Sequence, residues 1–361
     1  MNRKFIMDEH RRILSIFRFH RVIIPVLLGL GVVSFLVFRN FDPAPFYAIR
    51  WTHYSLIWIL IAVVLMAVRD LAYMYRIRLL TDKKLTWRKS FDVIMLWEFA
   101  SAVTPSVVGG SAVALFIVSK EGIPPGRSTA IVMITALLDE IFYIVMVPLM
   151  IILVGTSRLF TSSESFLLFN TQLGVQGVFL IGYMFIILLT SIISYGIFIK
   201  PRGFKWILLR IFKIPLLRKW RHQAGDAGDD IITTSAELKG KPVIFWIRAI
   251  VSTFLSWTAR FWVVNFLILA ITPVGEHFLI FARQLIMWVI LLISPTPGGS
   301  GIAEFIFSDF LGDFIPVGLT AALALLWRLI SYYPYIFIGA IVLPNWIKRV
   351  FGKKEYQHKP L

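Results

Sequence analysis

The chain contains no cysteine, which excludes disulfides, thiolate metal sites and cysteine nucleophiles. Charge is scarce, since only 16% of the 361 residues are Asp, Glu, Lys or Arg, and acidic residues are scarcer still at 20 against 37 basic. The signatures of cofactor and metal chemistry are missing too. There is no Walker loop, no dinucleotide fingerprint and no His-Glu-x-x-His pair among six scattered histidines, so no ATP hydrolysis, cofactor, metal or catalytic residue is expected. A separate soluble domain is also lacking, because the only sizeable polar stretch runs from Lys200 to Lys241.

What the chain has is apolar surface. With 58% hydrophobic residues and a mean hydropathy of +0.78, it carries more than one globular core can bury, which points to a polytopic membrane protein. Stretches that reach the roughly 17 to 25 residues needed to cross hydrocarbon lie at 22–38, 54–76, 128–154, 176–199, 243–271 and 317–344, giving six spans. The basic N-terminus before an apolar run resembles a signal peptide. No small-x-small cleavage site follows Phe38, so an uncleaved first span is expected.

Two further apolar segments, 91–119 and 280–312, carry Pro and Gly near their middles, and each half is too short to cross. They read as re-entrant helical hairpins. Both head a pattern that occurs twice. Thr104 and Pro105 precede Gly109, Gly110 and Ser111, with Asp139 and Tyr143 downstream; Thr296 and Pro297 precede Gly298, Gly299 and Ser300, with Arg328 and Tyr332 downstream. The interval from Ser111 to Asp139 is 28 positions, as is that from Ser300 to Arg328. Arg69 and Arg260 match in the spans before the hairpins, with an offset two residues different. The expected fold is all-α, with six transmembrane helices plus two re-entrant hairpins in an inverted-topology repeat. It comprises a basic N-terminus (1–21), a first repeat (22–154), a second repeat (176–344) and a basic tail (345–361).

Lys and Arg accumulate on the cytoplasmic side of membrane spans. Placing the N-terminus inside puts most of the 37 basic residues in the inner segments, with both termini cytoplasmic, the first hairpin entering from inside and the second from outside. The expected location is a bacterial cytoplasmic membrane. The net charge of +17 then reflects topology and anionic headgroups rather than nucleic acid. The linker 200–242 opens with a basic amphipathic stretch around Trp206 and continues as a polar connector from Ala224 to Leu238.

Broken helices leave backbone groups that hydrocarbon cannot satisfy, so they persist where they line a polar cavity or are buried in protein. Free N–H groups at a half-helix N-terminus suit a phosphate, and Ser111 and Ser300 fit as N-caps; close packing of the hairpin tips is the other reading of the glycines. A charge in hydrocarbon costs about 2.5 to 3.5 kcal/mol on insertion scales, so Asp139, Glu140, Arg260 and Arg328 near mid-span ask for partners or a wet cavity. Asp139 and Arg328 are expected either to pair across the repeats or to contact a headgroup. Arg69 is expected to snorkel to the interface. Glu98 and Glu304 are candidates for titration; Glu304 equally suits capping of its half-helix.

The run Ser-Pro-Thr-Pro-Gly-Gly-Ser-Gly-x-x-Glu from Ser294 to Glu304, the Thr-Pro-Ser-Val-Val-Gly-Gly run from Thr104 to Gly110, and the eight-segment plan resemble the flippase-like membrane domain of bacterial lysylphosphatidylglycerol synthases and their stand-alone relatives. The similarity covers about residues 15–350, and its Pro-Gly-Gly-x-Gly-x-x-Glu part is the specific element. The resemblance implies movement of a membrane phospholipid or lipid-linked substrate across the bilayer, without its synthesis. A transferase using a polyprenyl-linked donor and a scaffold for another membrane enzyme are the alternatives. Whether the chain forms a homo-oligomer stays open.

Overall fold

A computed structural model describes residue 47 and residues 51–104, 106–160, 165–168, 171–214, 218, 221–292, 296, 299 and 301–356. The expected first span, 22–38, lies outside these residues, as do Pro105, Gly298 and Ser300. The elements are α1 (His53–Leu80), α2 (Trp87–Val103), α3 (Ser106–Lys120), α4 (Pro125–Val154), a hairpin of β1 (Ser165–Leu168) and β2 (Thr171–Gly174), α5 (Val175–Ser194), α6 (Pro201–Ile211), α7 (Arg221–Lys239), α8 (Val243–Leu269), α9 (His277–Leu291), α10 (Ile302–Leu311), α11 (Thr320–Ser331) and α12 (Tyr333–Tyr356). The two strands pair antiparallel, Ser165 opposite Gly174. Helix is otherwise the only extended regular structure among the described residues.

Five helical stretches are long and apolar enough to cross a membrane: His53–Leu80, Pro125–Val154, Val175–Ile199, Val243–Leu269 and Thr320–Phe351. Two of them carry apolar residues outside and charged or polar ones within an otherwise apolar core. On α1 the residues Leu56, Leu60, Val63, Val64 and Leu71 face outward, while Arg69 and Arg76 are buried. On α8, Val243, Val251 and Leu255 are exposed, whereas Ser252, Thr253, Ser256 and Asn265 are buried. Exposed apolar faces with the charges turned inward suit hydrocarbon as the solvent.

Local chemistry fixes the helix ends. Thr86 caps α2 by accepting the Lys89 N–H at 3.3 Å. Pro125 opens α4, where its missing N–H costs nothing, and Gly155 at φ 87° closes it. The last span is interrupted at Tyr332 (φ −131°, ψ −58°), just before Pro334 in the first turn of α12.

The largest interface joins α1 and α8. Ala249, Ser252, Thr253, Ser256 and Ala259 are buried at spacings of one to four along α8, so that backbones approach closely where lipid offers no hydrophobic drive. Ser256 Oγ donates to the Arg69 carbonyl at 3.2 Å, and Trp58 stacks on Phe266 with centroids 5.4 Å apart. The stretch from 224 to 238, expected as a polar connector, is helical. Ala224, Ile231 and Leu238 recur every seven residues as its buried edge, and the helix packs on α4 and α6.

The first break differs from expectation. Thr104 is extended (φ −109°, ψ 143°), as a residue before proline prefers, and its hydroxyl donates to the Ala100 carbonyl at 2.6 Å. The break therefore follows Thr104, and Gly109, Gly110 and Ser111 lie inside α3 rather than at its opening, so Ser111 is not an N-cap. Gly110 serves packing instead. A Cβ there would lie 2.1 Å from Ser101 Oγ and 3.0 Å from Ser101 Cα, so only glycine lets α3 close on α2. The second break follows expectation more nearly, since α10 starts directly after Gly301, and Gly299 (φ 67°) and Gly301 (φ 87°) take left-handed conformations that disfavour side chains.

Two carboxylates tie helix ends together at one end of the molecule. Asp82, in the α1–α2 turn, accepts from Arg127 at 2.5 Å and Lys241 at 2.6 Å, joining the starts of α4 and α8. Glu121, just after α3, accepts from Arg349 and from Trp346 Nε1 (2.9 Å), and pairs with Lys89 at 3.2 Å. Burial pushes the Glu121 carboxyl up, but hydrogen bonds and charge from Arg349 and Lys89 outweigh it and hold the group below 4.5. Its stabilising contribution is thus complete above the ordinary carboxylate value and disappears as pH falls through the depressed one. Glu121→Gln is expected to cost about 1–3 kcal/mol near neutral pH, because it removes charge-assisted bonds whose cations stay partly solvated. Thermal unfolding in detergent across acidic pH checks this: the gap between variant and parent should narrow as pH drops.

Candidate functional site

Three arginine-centred networks stand at the heart of the bundle, each built from helix spacing. Arg69, Tyr73 and Arg76 share one face of α1 at steps of four and three. Both guanidinium groups lie 4.5 Å from the Tyr73 ring centroid. Arg69, only 1% exposed, donates to Asp70 (2.8 Å), to Glu98 of α2 (2.5 Å) and to the Tyr335 hydroxyl of α12 (2.9 Å). It is thus a buried hub and does not snorkel, since two carboxylates stand close enough to repay its desolvation.

Arg76 grips Asp139 of α4 with both terminal nitrogens, at 2.6 and 3.1 Å, and gives Thr253 of α8 a bond of 2.8 Å. Trp257 Nε1 also donates to Asp139, at 2.8 Å. Arg328 of α11 donates from Nε to Glu304 at 2.8 Å. The other Glu304 oxygen accepts the Gly301 N–H at 2.7 Å, so this 1%-exposed carboxylate caps α10 and holds Arg328 together. Asp139 and Arg328 therefore find separate partners, which corrects the expectation that they pair with each other. Helix rotation brings Arg76 to Asp139 from α1, while Glu304 lies one turn into the half-helix beside Arg328.

These networks surround a cavity of about 260 Å³. Both broken segments reach it, through Thr104 and Ser111 on one side and Thr296 and Gly299 on the other. The candidates Glu98, Asp139, Glu140, Arg260 and Arg328 line it as well, so seven of the candidate residues converge on one space: Glu98, Ser111, Asp139, Glu140, Arg260, Gly299 and Arg328. Glu304 stands behind Arg328, and Gly110 is turned to Ser101. Gly109 lies in α3, and Gly298 and Ser300 fall outside the described residues.

Arg260 differs from the other three cavity arginines. Its guanidinium lies 4.2 Å from the Trp288 ring centroid and 5.6 Å from that of Trp257, and no described residue gives it a hydrogen bond or an ion pair. Aromatic faces stabilise the cation without neutralising it. Its five N–H donors thus remain available to an anion at the cavity wall.

A family model for the lysylphosphatidylglycerol synthase TM region matches residues 22–339, a range that includes every residue lining the cavity. The chain belongs to this family. It is also 27% identical over 300 residues to a UPF0104 membrane protein of Archaeoglobus fulgidus, which covers 79% of this chain and 85% of that protein. This family member is accordingly a multi-pass membrane protein.

Sequence reasoning passed over Arg76, Trp257, Trp288 and Tyr335, all of which line the cavity. The signal for Arg76 was its spacing from Arg69 and Tyr73, which puts all three on one helical face; the signal for Trp257 was its position one turn before Arg260. Breaking a buried ion pair from one side typically costs about 3–5 kcal/mol. Asp139→Asn and Arg76→Gln are each expected to be destabilising, with a double variant well short of additive. The same cycle run on Asp139 and Arg328 should be near additive, and thermal unfolding of the six proteins distinguishes the two pairings.

Proposed function

We propose that this protein is a lipid flippase or transporter that moves a phosphate-bearing lipid, phospholipid or polyprenyl-linked, across the cytoplasmic membrane. The headgroup passes through the cavity between the two broken segments while the acyl chains stay in the bilayer. The observation that carries this reading is Arg260, an aromatic-backed cation facing a cavity with no carboxylate bonded to it. An unneutralised arginine at this depth is costly unless a mobile anion meets it, and a guanidinium matches phosphate geometry. Arg260→Gln removes no described ion pair, so it should leave the melting temperature nearly unchanged while slowing lipid movement roughly tenfold to a hundredfold, the range of a charge-assisted hydrogen bond. Reconstituted vesicles carrying a fluorescent phosphoglycerol lipid, read by a membrane-impermeant quencher, test this. A folded variant that moves lipid at the parental rate would falsify it. A new lipid species formed in place of leaflet exchange favours the transferase reading.

The same proposal includes the topology: six spans, two re-entrant hairpins and an inverted repeat, with both termini inside the cell. Its support is the brevity of α2, α3, α9 and α10, at 17, 15, 15 and 10 residues, against the ~20 that cross hydrocarbon. Packing adds to it. The corresponding helices α1 and α8 meet face to face, and the first half of each broken segment packs on the following span of the other repeat, α2 on α12 and α9 on α4. A single cysteine placed at Lys120 should react with an impermeant thiol reagent only from inside, and one at Val317, 87% exposed, only from outside. Labelling of both from one side of sealed cells rules the inverted arrangement out.

A further inference from the structure

Glu140 lines the same cavity as Arg260, and its Oε2 is buried without a hydrogen-bond partner among the described residues. The neighbouring charge on α4 is Asp139, of like sign, and Tyr143 follows one turn on. From α1, Arg76 faces this region but is occupied by Asp139 and Thr253, with Tyr73 beneath it. From α8 comes Arg260, seated over Trp288. The groups on the remaining helices packed against α4 are engaged or distant. On α9, His277 meets Asn265 at 3.2 Å and Arg283 meets Asp313 at 2.9 Å. On α5, Tyr183 donates to the Ile144 carbonyl at 3.2 Å; on α7, Glu237 pairs with Arg127 at 3.0 Å; and α3 brings only Lys120, at its last position. Among the described residues no cation is bonded to the Glu140 carboxyl.

An ionised carboxylate in that setting has an oxygen without a donor and an anion as its chain neighbour, a costly state that a proton removes. We propose that Glu140 is a proton-binding site and that its proton is bound together with the lipid phosphate, so that the anionic headgroup enters the cavity as a proton–lipid pair. This rests on the phosphate-lipid reading given for Arg260. An ionised Glu140 and a phosphate would be two anions in one cavity of about 260 Å³. With a proton taken from water, the neutral acid instead donates its O–H to a phosphate oxygen. Linkage makes the effect reciprocal: the proton raises lipid affinity by the factor by which lipid raises proton affinity.

The test uses the whole protein in uncharged detergent with short-chain phosphatidylglycerol as the probe, titrated calorimetrically in two buffers of different ionisation enthalpy. At alkaline pH, where the free Glu140 is ionised, binding to the parent should take up as much as one proton per lipid, and affinity should fall by up to about tenfold per pH unit as pH rises through that range. Glu140→Gln, a neutral isostere, should bind without proton uptake and keep the parent's low-pH affinity throughout. No proton uptake by the parent even at alkaline pH, equal uptake by the variant, or an affinity that follows sodium and ignores pH overturns the proposal. A second measurement needs no lipid. A hydrophobic carbodiimide, which modifies protonated carboxyls in apolar surroundings, should label Glu140 near neutral pH, and an unlabelled Glu140 overturns the proton site. If the parent binds no lipid, the phosphate-lipid reading and the coupling fall while the labelling still decides the proton site.

Discussion

A guanidinium held in a membrane bundle must be met by an anion, and much of this structure follows from that requirement. Arg69 draws α1, α2 and α12 together through Glu98 and Tyr335; Arg76 draws α1, α4 and α8 together through Asp139 and Thr253; Arg328 ties α11 to the half-helix α10 through Glu304. Each network sets the rotation of its helices, since a charged side chain turned toward lipid would lose far more than any apolar contact gains. The apolar exteriors of α1 and α8 are the other face of the same constraint.

The broken segments add polar backbone to this charged interior. One segment breaks after Thr104 and the other at Gly299 and Gly301, and both breaks come to the wall of the central cavity. Glu304 shows how economically such a break is supported, because one carboxylate satisfies the first free N–H of α10 and balances Arg328. The cavity therefore has rigid, neutralised walls on most sides. Arg260 and Glu140 are the exceptions, a cation and a carboxyl group without bonded partners among the described residues. A cavity holding two such groups is suited to an ionic guest.

Much of this was legible in the chain, and for physical reasons. Five of the expected spans correspond to long helices because apolar length is a local property, and the breaks were legible because Pro and Gly act on their own backbone. Seven candidate residues reached one cavity because hydrocarbon tolerates charge and broken helix only where they can be gathered. The misreadings were of a different kind. The first Gly-Gly-Ser motif looked like a turn, but α2 already ends at Thr104, and Gly110 serves the contact with Ser101. The helix α7 was hidden by polar composition, although Ala224, Ile231 and Leu238 marked its buried edge.

The sequence by itself determined that this chain lives in a membrane, that two of its apolar segments are broken, and which side chains are too costly to leave unmatched in hydrocarbon. Only the tertiary structure decided who matches whom. Asp139 takes Arg76 rather than Arg328, Arg69 is buried as a hub rather than reaching for the interface, and Arg260 is left to two tryptophans. Partner choice depends on the rotation and offset of helices far apart in sequence, set by packing across α1 and α8 and along α2 and α12, and no local pattern encodes that geometry.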